Sequence, residues 1–286
     1  MAALCWHGRT EKVIHGICLK SQLLEVSYLG VTGSVCARLL AFAGSGRTTT
    51  RWPSAYVTHC GKGSAGQPLP LSDRGGDGRT YLCWLEPGPG QMTRLRFSVY
   101  RDGQFATPRT IAAGTDWFVN WADVPSIAAL PDGTLAAHWL ARNGTQPYAY
   151  GVRVSCSTDG GQSWTAPFWL HDDRSACEHG FVSMLPQPGG QFLAIWLDGR
   201  AMESTGDTQL WSRRFDARGQ LGKEVLIDKR VCSCCPTSMA SVDNGVLAVY
   251  RDRSAEEIRD ISYVQGDGVR WTRSRPCHVD GWEIPG

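Results

Sequence analysis

The sequence lacks any run of 18 or more apolar residues, which excludes a membrane-spanning helix. It lacks a basic-then-apolar start of the signal-peptide kind, since the stretch at residues 34–43 (SVCARLLAFA) is internal, short and interrupted by Arg38. Charge of one sign is missing as well. The formal net charge is +2 over 286 residues, which leaves no electrostatic footprint for nucleic acid. Arginines gather late in the chain (Arg251, Arg253, Arg259, Arg270, Arg273 and Arg275), and those from Arg270 onward read as charged strand edges that discourage edge-to-edge pairing. No interdomain linker is recognisable. No second Cys-x-x-Cys and no His pair has metal-ligand spacing, so no metal and no other cofactor is expected.

What the chain has in quantity is turn formers and large aromatics, Gly 33 and Trp 12. They are periodic. Four apolar segments, 80–86 (TYLCWLE), 135–141 (LAAHWLA), 192–198 (FLAIWLD) and 246–252 (VLAVYRD), carry central aromatics at Trp84, Trp139, Trp196 and Tyr250, spaced by 55, 57 and 54 residues. Seven residues before each aromatic stands a turn dipeptide: Asp77-Gly78, Asp132-Gly133, Gly189-Gly190 and Asp243-Asn244. Thirteen residues before it, three of the four copies hold a hydroxyl residue: Ser126, Ser183 and Thr237. Short strands at regular spacing with Gly/Asp turns predict an all-β fold. A unit of about 55 residues holding four strands predicts a β-propeller, whose blades run ~40–50 residues. The repeat occupies residues 66–286. Residues 1–65 show none of it and read as an irregular N-terminal region. Four clear units, and the approach to another at residues 280–284, fall short of a closed ring. The expected architecture is therefore an incomplete propeller, encoded by a fragment or a frame-shifted copy of a longer gene; irregular blades supplied by the N-terminal region are the alternative.

Eleven cysteines leave two readings open. Cys232, Cys234 and Cys235 form Cys-Ser-Cys-Cys, and Cys177 lies at the start of the preceding unit. A bridge from Cys177 to Cys234 or Cys235 would imply an exported protein; otherwise the thiols are inert and buried. A metal or redox role for Cys-Ser-Cys-Cys is a third and weaker reading.

Residues 157–164, Ser-Thr-Asp-Gly-Gly-Gln-Ser-Trp, match the Asp-box pattern Ser-x-Asp-x-Gly-x-Ser/Thr-Trp. Ser157 and Asp159 can bond turn amides, Gly160 and Gly161 supply special backbone angles, and Trp164 packs between sheets. With this box, residues 116–123 (DWFVNWAD), 178–181 (EHGF), 197–200 (LDGR), 234–237 (CCPT), 250–253 (YRDR) and 257–261 (EIRDI), the chain resembles bacterial sialidase-like six-bladed propellers over about residues 69–284. The resemblance implies an exo-glycosidase that hydrolyses a terminal sialic acid or a related acidic sugar, with a glycan or glycoconjugate as partner and a periplasmic or secreted location. Such enzymes clamp the sugar carboxylate with three arginines, whose planar guanidinium makes paired charge-assisted bonds. An Asp is the acid/base, and a Tyr assisted by Glu is the nucleophile, an exception among glycosidases.

Carried over by position, the clamp candidates are Arg200, Arg251 and Arg259. Asp123 or Glu178 is the acid/base, Tyr250 with Glu257 imitates the nucleophile pair, and His179 and Asp198 border the site. Each also has a plain structural role: Tyr250 shares its slot with core tryptophans, and Arg251 or Arg259 can close loops by ion pairing. Arg51-Trp52-Pro53 departs from the Arg-Ile-Pro that carries the first clamp arginine in sialidases. The alternative function is a non-catalytic propeller that binds glycan or protein through its axial face.

Overall fold

The computed structural model describes residues 77–283 apart from 102, 121, 244 and 282, together with strand segments at 14–19, 22–29, 36–41 and 71–74. The chain divides into two compact units, Met1–Gly66 and Gln67–Gly286. In the first, β1 (Ile14–Leu19), β2 (Gln22–Leu29) and β3 (Cys36–Ala41) form an antiparallel sheet in that order. Arg51-Trp52-Pro53 lies outside the described residues.

Among the described residues, the second unit is all-β but for one short helix. Its first sheet holds β4 (Leu71–Arg74), β5 (Thr80–Pro87), β6 (Thr93–Arg101) and β7 (Gln104–Phe105), with β8 (Arg109–Gly114) also on β6. The second holds β9 (Ser126–Ala129), β10 (Leu135–Arg142), β11 (Tyr150–Ser157) and β12 (Phe168–Trp169). The third holds β13 (His179–Gln187), β14 (Gln191–Asp198), β15 (Thr208–Asp216) and β16 (Val225–Val231), with α1 (Met202–Thr205) between β14 and β15. The fourth holds β17 (Ser238–Val242), β18 (Gly245–Arg251), β19 (Ile261–Gly266) and β20 (Arg275–Pro276). Strands pair antiparallel in chain order, and the first strands of successive sheets lie together: β4 by β9, β9 by β13, β13 by β17. This is the arrangement of propeller blades. No sheet closes on itself among the described residues.

Alternation along the second strands explains the repeat. Side chains on a strand point to opposite faces in turn. Leu135, Ala137 and Trp139 of β10 therefore pack on the first sheet, while Ala136 and Leu140 pack on the third. On β14, Phe192, Ala194 and Trp196 meet the second sheet, and Ile195 and Leu197 meet the fourth. Tyr250 of β18 turns back onto the third sheet. In the second, third and fourth sheets the recurring aromatic is thus the residue presented to the preceding sheet, and strands buried on both faces must be nearly all apolar. Replacing one such buried aromatic by alanine costs about 3–5 kcal/mol.

The hairpin at residues 157–164 joins two blades. Ser157 Oγ accepts from the Gly161 amide at 2.8 Å, and the Asp159 carboxylate accepts from the amides of Gln162 (2.9 Å) and Ser163 (3.0 Å) and from Ser163 Oγ (2.5 Å). These bonds, the Ser163 hydroxyl first, hold Asp159 well below the usual carboxylate range. Gly161 sits at φ 81°, and a Cβ there would run into the Phe97 ring of the first sheet. Trp164 packs edge-on to that ring at 5.7 Å, and Arg109 reaches across to the Gly160 carbonyl at 2.8 Å.

Antiparallel pairing also brings the start of each first strand and the end of each second strand to one end of the sheets; His179, for example, pairs with Asp198. That end collects Asp123, Glu178, His179, Asp198 and Arg200 together with the loop after Arg251.

Candidate functional site

The start of β13 is irregular. Its register with β14 slips between Gly180 and Ser183, and Phe181 takes φ 51°, a left-handed angle rare for a bulky residue. The bulge aims the Phe181 amide at Asp123, whose Oδ2 accepts from it at 2.8 Å. A Cβ on Gly180 would fall inside the Asp123 carboxylate and lie 3.0 Å from Tyr150 Cε2, so only glycine allows this approach. Asp123 is buried at 4% exposure. Burial pushes its carboxyl up to about 7, against the Phe181 amide and aided by the nearby Glu178 charge.

Glu178 lies beside it and accepts a short hydrogen bond from the Tyr150 hydroxyl. Burial raises Glu178, with the Tyr150 bond opposing. Tyr150 is fully buried, and burial, then the Glu178 and Asp123 charges, push its hydroxyl far above the ordinary phenol range. Phe118 stacks on the Tyr150 ring at 3.9 Å, and the Arg142 guanidinium lies 5.5 Å from the Phe118 ring centre. Two carboxyl groups, Asp123 and Glu178, and the Tyr150 phenol therefore lie together beside the starts of β11 and β13.

Adjacent to this group lies a network of histidines and ions. His179 Nε2 is 2.9 Å from Asp173 Oδ2, and its ring stacks on His171 at 3.8 Å. His171 Nε2 accepts from the Val152 amide at 3.0 Å, so its Nδ1 donates to the Asp173 carbonyl at 2.7 Å. Burial, then the neighbouring His179, push His171 down to about 3. Asp198 is fully buried; burial works to raise it, but the Arg200 bonds, His179 and the Trp196 indole (2.8 Å) hold it below its ordinary value. Arg200 spans Asp198 (2.6 Å) and Glu224 (2.8 Å) and lies 4.1 Å over the Trp211 ring. Cys177 sits 3.6 Å from Asp173 Oδ2 and 3.3 Å from Ser175 Oγ, and burial pushes its thiol up to about 12.

The fourth sheet carries a separate network. Tyr250, 1% exposed, donates to Asp228 Oδ2 at 2.6 Å rather than to Glu257. Glu257, at φ 65°, turns instead to Arg230 (2.8 Å), Arg253 (2.9 Å) and Arg259 (2.8 Å), which together hold it near 2, the Arg253 bond first. Arg251 is buried and donates to the Arg259 carbonyl at 2.7 Å. Arg253 reaches the Gly206 carbonyl at 3.1 Å, tying this loop to the one after α1.

The nine residues singled out from sequence thus fall into two sets. Asp123 and Glu178 come together, with His179, Asp198 and Arg200 beside them. Tyr250 and Glu257 are not brought together, because Tyr250 occupies the inter-blade slot. Of the clamp candidates, Arg200 is engaged by two carboxylates, while Arg251 and Arg259 serve the fourth-sheet loop. The disulfide expectation is corrected: Cys177 and the three later cysteines are free thiols in separate clusters. Sequence reasoning missed Tyr150, His171, Asp173 and Glu224. Tyr150 opens a third strand, where the units share no marker residue. A shallow concavity of about 450 Å³ lies between the turns at 130–132 and 186–190, at the other end of the sheets, and holds no comparable grouping.

No family model matches this sequence, and no curated protein matches it. Among solved structures, a protein of unknown function from Dyadobacter fermentans is similar over 74% of this chain and 69% of its own, at 19% identity and TM-score 0.51. An α-L-arabinofuranosidase from Fusarium graminearum (14% identity, 74% and 66% covered, TM-score 0.48) and an endo-arabinase from Bacteroides thetaiotaomicron (13%, 76% and 83%, 0.46) are more distant. At these identities the likeness concerns the fold.

Proposed function

We propose that the chain is a glycosidase-like propeller, and that its chemistry is retaining exo-hydrolysis of a terminal acidic sugar of the sialic acid kind. The observation that carries this reading is the Tyr150–Glu178 hydrogen bond beside a buried carboxyl that titrates near neutrality. Asp123 protonates the leaving glycosidic oxygen while Tyr150 Oη, passing its proton to Glu178, bonds to the anomeric carbon. Water then attacks that carbon, giving a proton to Asp123, and Tyr150 leaves with the proton held by Glu178. A phenol suits this step because it approaches an anionic sugar without charge repulsion. Arg200, beside Glu178 through the Gly199 amide bond to the Glu178 carbonyl (2.7 Å), is the clamp candidate of this group, while Arg251 and Arg259 stay with the fourth-sheet loop. His179 and Asp198 position Arg200.

The test is hydrolysis of a fluorogenic sialoside. Tyr150→Phe and Asp123→Asn should each lower kcat by about 10²–10⁴-fold with folding intact. The full burial of Tyr150 favours a second reading, a non-catalytic propeller that binds glycan or protein at this end. Absence of turnover in the parent protein, with glycan binding unaffected by Asp123→Asn or Glu178→Gln, would establish that reading instead.

A further inference from the structure

The connection between β16 and β17 carries Cys232, Cys234 and Cys235, and no chemistry described above uses them. Their sulfurs form a closed triangle: Cys232 to Cys234 is 3.5 Å, Cys232 to Cys235 is 3.8 Å, and Cys234 to Cys235 is 4.0 Å. A cation bound by thiolates at about 2.3 Å needs ligand sulfurs about 3.8 Å apart in a tetrahedron and about 4.0 Å apart in a trigonal plane. The triangle spans those values. A disulfide would instead draw one pair to about 2 Å and strand the third sulfur.

We propose that Cys232, Cys234 and Cys235 form a binding site for a thiophilic d¹⁰ metal ion, Zn²⁺ or Cu⁺. Three further observations support it. First, the turn is held at both ends before any ion arrives. The Cys232 amide donates to the Arg251 carbonyl at 3.0 Å, and Thr237 Oγ1 donates to the Phe181 carbonyl at 2.8 Å while meeting Ser183 Oγ at 2.8 Å. The sulfurs therefore converge without a large ordering cost. Second, Arg259 Nη1 lies 3.3 Å from Cys232 Sγ, and its charge offsets part of the negative charge of three thiolates. Third, Cys232 is buried, Cys235 half-buried and Cys234 exposed, so one side of the triangle faces solvent for ion entry and for a fourth ligand. Among the described residues no His, Asp or Glu joins this group, and an all-sulfur donor set selects soft ions over Mg²⁺ or Ca²⁺. Only the third cysteine, one residue beyond a Cys-x-Cys, distinguishes this from an incomplete motif in sequence.

The test uses the full chain, reduced and freed of metal, titrated with Zn²⁺ against a chromophoric competitor and, anaerobically, with Cu⁺ against a Cu⁺-specific one. Co²⁺ substitution reads thiolate ligation through its sulfur-to-metal charge-transfer band. The expected result is one ion per chain in at least one arm, with the arms deciding which ion is preferred. Cys232→Ser and Cys235→Ser should each weaken binding at least about tenfold, about 1.4 kcal/mol. Cys177→Ala, whose thiol lies in the Asp173 cluster, should leave it unchanged. Far-ultraviolet circular dichroism checks that each variant is folded. Binding that survives in the triple serine variant, parent protein that holds no ion in either arm, or thiol counting that finds two of these cysteines oxidised to each other under the reducing preparation would overturn the proposal.

Discussion

Asp123 is a carboxyl whose ionisation the fold delays to near-neutral pH. The unfolded chain releases this proton near 3.8, the folded chain only near 7. A raised carboxyl contributes stability that is complete below the unfolded value and is lost as pH climbs through the folded one. Asp123→Asn keeps an acceptor for the Phe181 amide and removes the titration. Urea unfolding of both proteins between about pH 4 and pH 7 should therefore show the parent losing ground to the variant by up to about 1.4 kcal/mol per pH unit. Parallel curves would mean that the carboxyl is ionised in the folded protein. His171 has the opposite sign. Its value is depressed from 6.5 to about 3, so the stability it contributes is present above 6.5 and drains away as pH falls toward 3. His171→Gln can accept from the Val152 amide and donate to the Asp173 carbonyl without titrating. Its unfolding midpoint should fall less steeply in acid than that of the parent, and an unchanged acid slope would count against a neutral His171.

Elements differ in how openly they announce themselves. The turn at 157–164 is largely local: the bonds that Ser157 and Asp159 make to it join residues at most four apart, so Ser157, Asp159, Gly160 and Gly161 could be assigned their turn roles from sequence alone. Asp159 is exposed, and water can replace part of what it offers the turn amides. Asp159→Ala should accordingly lower the midpoint of chemical denaturation only modestly and leave any sialoside hydrolysis unchanged. The bulge at the start of β13 is the contrary case. Nothing near Gly180 in the chain reveals that a carboxylate 57 residues earlier presses against its Cα, because the constraint exists only once two blades dock. Gly180→Ala forces Asp123, Tyr150 or the bulge itself to move. It should destabilise the protein by more than Asp159→Ala does and should displace the Asp123 titration, readable as loss of the pH-dependent stability difference from the Asn variant.

At the scale of the molecule, the period of aromatics and turns was legible because each blade repeats the same physical problem, a sheet that must bury two faces against its neighbours. The candidate site was only half legible. Its location at one end follows from antiparallel pairing, but its phenol does not, because Tyr250 fills a repeated core slot while Tyr150 stands in a position with no counterpart in the other units. The same blade logic orders the stability of the parts. β10 and β14 have neighbours on both faces and are buried almost throughout, whereas β17 is half open and β20 is exposed. Amides open most readily where few apolar contacts hold the strand, so local unfolding should cost least in the fourth sheet and most in the second and third. Hydrogen exchange resolved by peptide should find slow exchange in β10 and β14, intermediate protection in β5 and β6, and fast exchange in β17 and β20. If the four sheets exchanged together, the blades would be one cooperative unit and the graded packing described here would carry no energetic meaning. If the gradient is found, the network of Glu257, Arg253, Arg259 and the three-cysteine turn lies on the least stable blade, and adding Zn²⁺ or Cu⁺ should slow exchange there first.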